Sequence, residues 1–261
     1  MSGTRWDPDQ YGRFQGERDR AALDLLLRLP DDLVPREIWD LGCGTGQHAA
    51  LLKRRHPHAH VHGLDASAAM IASARELSAE VDWQVGRIDD WAPQAPADLI
   101  LANASLHWVP DHRALLPRLV GNLSPGGVLA VQMPLRATPL HHQVVERVAG
   151  RGPWAALLAD VPPATDPLAA EDYFDLLATD CEAIDIWSTT YLHPLQGADP
   201  VLNWLMGAGL RPHLAALEAV PDLRLSFLSA LAAALSDAFP ARSSGVTLLP
   251  FPRLFLMARR R

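Results

Sequence analysis

Lysine is nearly missing from this chain of 261 residues: Lys53 is the single one, and every other base among the 23 is arginine. Basic charge is outnumbered as well, 23 against 30 acidic residues, for a net charge of −7. A surface of that sign has no general affinity for nucleic acid or anionic membrane, so an anionic ligand must be held by a local cluster of arginines. Cysteine is almost as scarce. Cys43 and Cys181 give neither a disulfide framework nor a metal-ligand spacing, and small size is the use of Cys43 inside a glycine-rich turn. The 11 histidines show no ligand spacing either, so no metal is expected. No apolar run approaches the ~18 residues of a membrane span, and the N-terminus lacks the charged-then-apolar pattern of a secretory leader. These absences predict a cytoplasmic protein.

What is present is apolar content of 49%, ample for a core within one folded unit. Residues 21–29 read as a helix with Leu23, Leu26 and Leu27 on one face, closed by Pro30. From Glu37, short apolar strands at 37–41, 60–64, 81–85, 97–102 and 127–133 alternate with helices at 47–55, 67–77 and 111–122. Such alternation implies an α/β, Rossmann-like, doubly wound parallel sheet with ligands at the carboxyl ends of its strands. Past Pro134, helical stretches near 139–150, 153–159 and 168–179 precede a long strand at 183–192. A second helical insertion, Pro200 to Phe239, separates it from a last strand, Val246 to Ala258.

The chain is organised around Asp40-Leu41-Gly42-Cys43-Gly44-Thr45-Gly46, a turn between the first strand of this series and a helix. Alternate glycines permit positive φ and let a ligand approach bare backbone. A dinucleotide would bring a pyrophosphate, which the carboxylate of Asp40 repels; a cationic ammonium suits it. S-adenosylmethionine has an α-ammonium, a sulfonium, no phosphate, and a ribose for which Asp65 at the end of the next strand supplies an acidic partner. With Asp65, the motif resembles the class I S-adenosylmethionine-dependent methyltransferases, whose first motif is an acid followed by x-G-x-G-x-G. The resemblance implies a sheet whose last strand is antiparallel, helical lids over the strand ends, and S-adenosylhomocysteine as the product of the donor.

The expected donor contacts follow the strands: Asp40, Gly42, Gly44 and Gly46, then Asp65 and Ala66 in a cap for the helix carrying Met70. Met70 is either plain core or a contact for the adenine face. The family normally offers an acid to the adenine amino group from the loop Gly86-Arg87-Ile88-Asp89-Asp90-Trp91. Arg87 occupies the usual acidic place, which leaves Asp89 or Asp90 for that task, with Trp91 beside them. Asn103-Ala104-Ser105-Leu106-His107-Trp108 follows a strand where the sulfonium methyl would lie. Asn103 and Ser105 are expected on the donor; Trp108 offers its face to donor or acceptor; His107 is a general base or a wall residue. These three, Asn103, His107 and Trp108, are the candidate catalytic residues.

A closer resemblance spans nearly the whole chain, weakening at 135–170. Trp6-Asp7-Pro8 with Tyr11, Phe14, Arg18 and Arg20, then Asn103 to His112, Leu129 to Pro134, Asp185 to His193, Gly209-Leu210-Arg211-Pro212 and Phe251-Pro252-Arg253-Leu254-Phe255 look like the trans-aconitate 2-methyltransferase family. It implies methyl-ester formation on one carboxylate of a small polycarboxylate, which is ionised at neutral pH and needs no strong general base. The other carboxylates need arginine forks and hydroxyls, from Tyr11, Arg18, Arg20, Tyr191, His193 and Arg211. The expected organisation is an N-terminal helical lid (1–30), a donor-binding core (31–134), a helical insertion (135–180), a core strand (181–195), a second insertion (196–243) and the last strand (244–261). The expected partner is a small anionic substrate, with neither nucleic acid nor membrane, in a monomer or small homo-oligomer. Two alternatives stay open: a class I methyltransferase for another small acceptor such as an amine or phenol, and a donor-binding protein without turnover.

Overall fold

The computed structural model describes residues 15–135, 139–161, 168–207 and 209–261, with side chains from residue 19 onward. Seven strands form one sheet: β1 (Glu37–Leu41), β2 (His60–Asp65), β3 (Asp82–Val85), β4 (Ala97–Asn103), β5 (Leu123–Pro134), β6 (Cys181–Leu195) and β7 (Thr247–Arg260). Their order is β3-β2-β1-β4-β5-β7-β6. The first five are parallel, and β7 runs antiparallel between β5 and β6, as the family resemblance implied. Strands β1 and β4 are apolar on both faces because helices cover both; Ile38, Leu41, Leu99, Ile100 and Leu101 are fully buried. The order of strands reverses between β1 and β4, and connections leaving in opposite directions open a crevice there.

On one face pack α1 (Gln15–Leu26), α2 (Gln47–Arg55) and α3 (Ala68–Leu77); on the other, α4 (His112–Gly121) and α7 (Ala170–Leu177). Helix α1 corrects the sequence reading in two ways. It begins at Gln15, inside the segment expected as a separate lid, and ends at Leu26. Its buried face is Ala21, Ala22, Leu25 and Leu26, continued by Leu29, whereas Leu23 and Leu27 are exposed. The i, i+4 pairs of that face include two alanines, which an eye fixed on leucines passes over.

Strands β6 and β7 are longer than expected, 15 and 14 residues, because their ladder continues past the end of β5 to Leu195↔Thr247. Pro252 costs no ladder bond there. Its carbonyl accepts from the Leu135 N–H, so its ring nitrogen also faces the side where β5 has ended. The extended ribbon carries a lid of α5 (Leu140–Ala149), α6 (Ala155–Leu158), α8 (Pro200–Met206), α9 (Arg211–Ala216) and α10 (Pro221–Ala238). Both insertions converge on one apolar cluster, in which Val144, Trp154, Trp204, Phe227 and Leu231 meet Leu195 and Leu249 of the ribbon.

Candidate active site

After Leu41 the backbone passes through Gly42 (φ 80°) and Gly44 (φ 55°), positions that favour glycine. A Cβ on Gly42 would stand 2.3 Å from the Ser105 Cβ, so the turns after β1 and β4 touch only because one of them is bare backbone. Ser105 reinforces that junction by donating its hydroxyl to the Leu41 carbonyl at 2.6 Å. A Cβ on Gly44 would meet nothing within 4 Å, because Gly44 faces a cavity of about 750 Å³. The Gly44 N–H donates to Asp65 Oδ2 at 2.9 Å, and the Ser67 N–H donates to Asp65 Oδ1 at 2.8 Å. Asp65 is thus fixed at the end of β2. Burial pushes its carboxyl up, and these two donors pull the other way.

Four turns of the sheet line the cavity, at the switch point. They bring Gly42 and Gly44; Asp65, Ala66, Ser67 and, from α3, Met70; Gly86, Arg87, Ile88 and Asp89; and Asn103, Ala104, Ser105 and Trp108. Arg211 and Pro212 reach it from the lid. Asn103 Oδ1 is buried with no hydrogen-bond partner among the described residues. Next to it Ala104 holds φ 52°, strain of roughly 1–3 kcal/mol for a residue with a Cβ, while its N–H donates to the Gln132 carbonyl at 2.9 Å. That turn swings Asn103 and Ser105 to the same cavity.

Several expected residues stand elsewhere. Asp40 is 1% exposed and lies beneath the turn, facing α2; one of its oxygens has no hydrogen-bond partner among the described residues. Gly46 is bare for packing: a Cβ would stand 2.5 Å from the Trp83 ring. Trp91 is core, edge-on to Trp39. Asp90 is exposed and outside the cavity lining, whereas Asp89 lines it; Arg87 is ion-paired with both, more closely with Asp89. His107 is buried, its ring 4.7 Å from that of Trp108. On the β6 side, the Tyr191 hydroxyl donates to Asp24 at 2.5 Å and the exposed Arg20 lies 5.3 Å from the Tyr191 ring. His193 is fully buried and stacked on Trp204. Tyr11 lies outside the described residues, as does the Arg18 side chain.

The methyltransferase domain family matches residues 38–127, the stretch that builds this cavity from the sheet. A trans-aconitate 2-methyltransferase from Azoarcus sp. (strain BH72) is 45% identical over 256 residues, covering 98% of this chain and 99% of that protein. The chain belongs to the trans-aconitate 2-methyltransferase family. Among solved structures, the fold is similar to the YcgJ protein of Bacillus subtilis, with a TM-score of 0.57, 14% identity, and coverage of 93% of this chain and 98% of that one. It is also similar to Haemonchus contortus phosphoethanolamine N-methyltransferase 2, crystallised with S-adenosylhomocysteine, with a TM-score of 0.56, 17% identity, and coverage of 91% and 52%.

The site fits the methyl donor of such an enzyme. Gly44 leaves room, Asp65 presents a fixed carboxylate, Met70 and Ile88 give apolar contact, and the orphaned Asn103 oxygen awaits a donor. Of the two acids of the adenine loop, Asp89 is the one in the cavity lining. Asp89→Ala is expected to weaken S-adenosylmethionine binding several-fold, by roughly 1 kcal/mol, and Asp90→Ala to leave it within twofold. Calorimetry on the two variants checks this; the reverse order would show that the loop closes differently on the donor.

Burial raises the Asp40 carboxyl to about 6, with the cation of His48 lowering it and Asp65 raising it further. His48 in turn is desolvated, but Asp19 of α1, 3.3 Å away, and Asp40 hold its pKa above the ordinary value. The sign is that of a raised acid. The buried charge costs stability progressively as pH rises from the ordinary 3.8 to about 6, and the full cost stands above that. Asp40→Asn removes the titration, so its melting temperature relative to the parent is expected to climb across that window and level off above it. Melting curves of both proteins against pH test this, and a flat difference would refute it.

Proposed function

We propose that this protein transfers a methyl group from S-adenosylmethionine to a carboxylate oxygen of trans-aconitate, giving a monomethyl ester and S-adenosylhomocysteine. The observation that carries the proposal is full-length identity of 45% to a trans-aconitate 2-methyltransferase, joined to a cavity at the switch point of the sheet. Bound, the donor supplies an electrophilic methyl: the S–CH₃ bond breaks as the carboxylate O–CH₃ bond forms.

The residues have separate tasks. Asp65 accepts from a ribose diol, Asp89 from the adenine amino group, and the Gly42–Gly44 backbone admits the donor without a side chain in the way. Asn103, held by the strained turn at Ala104, orients the reacting end. Trp108 and the buried His107 behind it exclude water from the carboxylate, whose desolvation raises its nucleophilicity. Arg211 holds a carboxylate of the acceptor that is not methylated, where a planar fork suits a bidentate pair. Arg20, Arg18, Tyr11, Tyr191 and His193 are proposed on the other side of the acceptor, toward β6. No described helix is long and apolar enough to cross a membrane. The enzyme is proposed to act in the cytoplasm on a small polycarboxylate, as a monomer or small homo-oligomer.

The deciding assay supplies labelled S-adenosylmethionine with trans-aconitate, other tri- and dicarboxylates, an amine and a phenol. Methyl-ester formation highest with trans-aconitate is expected. Donor binding without turnover on any carboxylate would overturn the proposal and favour an acceptor of another class.

A further inference from the structure

The proposed function accounts for the acceptor from the lid side, through Arg211. Beside Asn103 in the sheet runs a buried polar row whose residues are not in the lining of the donor cavity. In the sheet, Asn103 pairs with Gln132 of β5, Gln132 with Phe255 of β7, and Pro134 with Arg253. Residues two apart share a face. Asn103, Gln132 and Arg253 therefore stand on the face whose core includes Leu101, Ala130 and Phe255. Gln132 is 1% exposed, and neither its Oε1 nor its Nε2 has a hydrogen-bond partner among the described residues. A primary amide kept that deep with no partner among the described residues costs stability, a cost that a ligand answering it would remove.

The surroundings say what kind of ligand. Arg253 is 5% exposed, its guanidinium 4.5 Å from the Phe251 ring centre. Around the same ring stand His141, stacked at 5.2 Å, and His193 at 5.9 Å, both fully buried. Tyr191, two residues before His193, has Arg20 beside its ring. The row thus has an amide that donates, a fixed guanidinium fork and imidazoles. The acid beside the row is Asp24, whose carboxylate accepts from the Tyr191 hydroxyl. His141 comes from α5 and His193 from β6, so the first insertion and the ribbon build this wall together.

We infer that Gln132 and Arg253 form a second carboxylate subsite, binding a non-reacting carboxylate of the acceptor across Asn103 from Arg211. This rests on the polycarboxylate reading above. A tricarboxylate then has one carboxylate for each arginine and one left to receive the methyl, so the two subsites together select a tricarboxylate over smaller acids.

The test pairs Gln132→Leu with Arg253→Lys, measuring KM for trans-aconitate, calorimetric affinity for S-adenosylmethionine, and melting temperature. Gln132→Leu is expected to raise KM for trans-aconitate about tenfold or more while leaving donor affinity within twofold. It is also expected to raise the melting temperature, since an unanswered buried amide is gone; a residue kept only for structure would lower it. Arg253→Lys, which keeps the charge and loses the fork, is expected to raise the same KM and to narrow the preference for trans-aconitate over a dicarboxylate lacking one carboxyl. If Arg253→Lys loses donor binding through misfolding, Gln132→Leu decides alone. Parental KM in Gln132→Leu, with trans-aconitate turned over normally, overturns this inference and leaves the function standing. A parent protein that neither binds nor methylates trans-aconitate overturns both.

Discussion

Asp65→Ala is expected to lower the affinity for S-adenosylmethionine by roughly 10- to 100-fold, the loss of a hydrogen bond to an ionised group worth about 1.5–3 kcal/mol. The size of the effect follows from pre-organisation. Asp65 is held by the N–H groups of Gly44 and Ser67 at 2.9 and 2.8 Å, so no conformational entropy is spent in presenting its remaining lone pairs to a ribose diol. Removing the carboxylate also leaves the Gly44 N–H without its acceptor and loosens the glycine turn. Calorimetry with S-adenosylmethionine and S-adenosylhomocysteine should show parallel losses, because the ribose is common to both. Unchanged affinity would mean that the donor enters the cavity in another orientation.

Arg211→Lys is expected to raise KM for trans-aconitate by about tenfold and leave KM for S-adenosylmethionine within twofold, because lysine keeps the charge and loses the bidentate fork. Taken alone, the glycine and proline of Gly209-Leu210-Arg211-Pro212 read as the end of a helix carrying the arginine. The arginine is instead the first residue of α9, with Pro212 in the first turn where a missing N–H costs nothing. A cation at a helix N-terminus faces the positive end of the dipole, so helix stability gives no reason for an arginine there. Its place on the cavity lining supplies one. Steady-state kinetics varying each substrate in turn checks the split; equal effects on both substrates would make Arg211 a structural residue.

The two arginines illustrate different depths of legibility. Arg211 stands out in the sequence because Gly209 and Pro212 punctuate the chain around it, although they misled about which end of a helix it occupies. Arg253 stands out only within a stretch that carries the family resemblance, Phe251-Pro252-Arg253-Leu254-Phe255, with no role attached to it. Gln132, in Leu129-Ala130-Val131-Gln132-Met133, had a signal that could have been read: one amide in a run of buried residues. Without register it pointed nowhere, since its partners lie in β4 and β7, far off in sequence.

By itself the sequence determined the α/β order of elements, the antiparallel last strand through its resemblance, the glycine turn and Asp65. Those depend on local patterns: the period of apolar residues, the φ that glycine permits, the acid that closes a strand. Tertiary structure alone decided that Asp40 lies beneath the turn, that Asp89 rather than Asp90 borders the cavity, and that Trp91 belongs to the core, because neighbours in sequence leave a turn in opposite directions. It also decided which face α1 buries and that α5, β6 and β7 bring His141, His193 and Arg253 around one ring. Contacts of that kind are set by strand register and helix packing across distant segments, which no local pattern records.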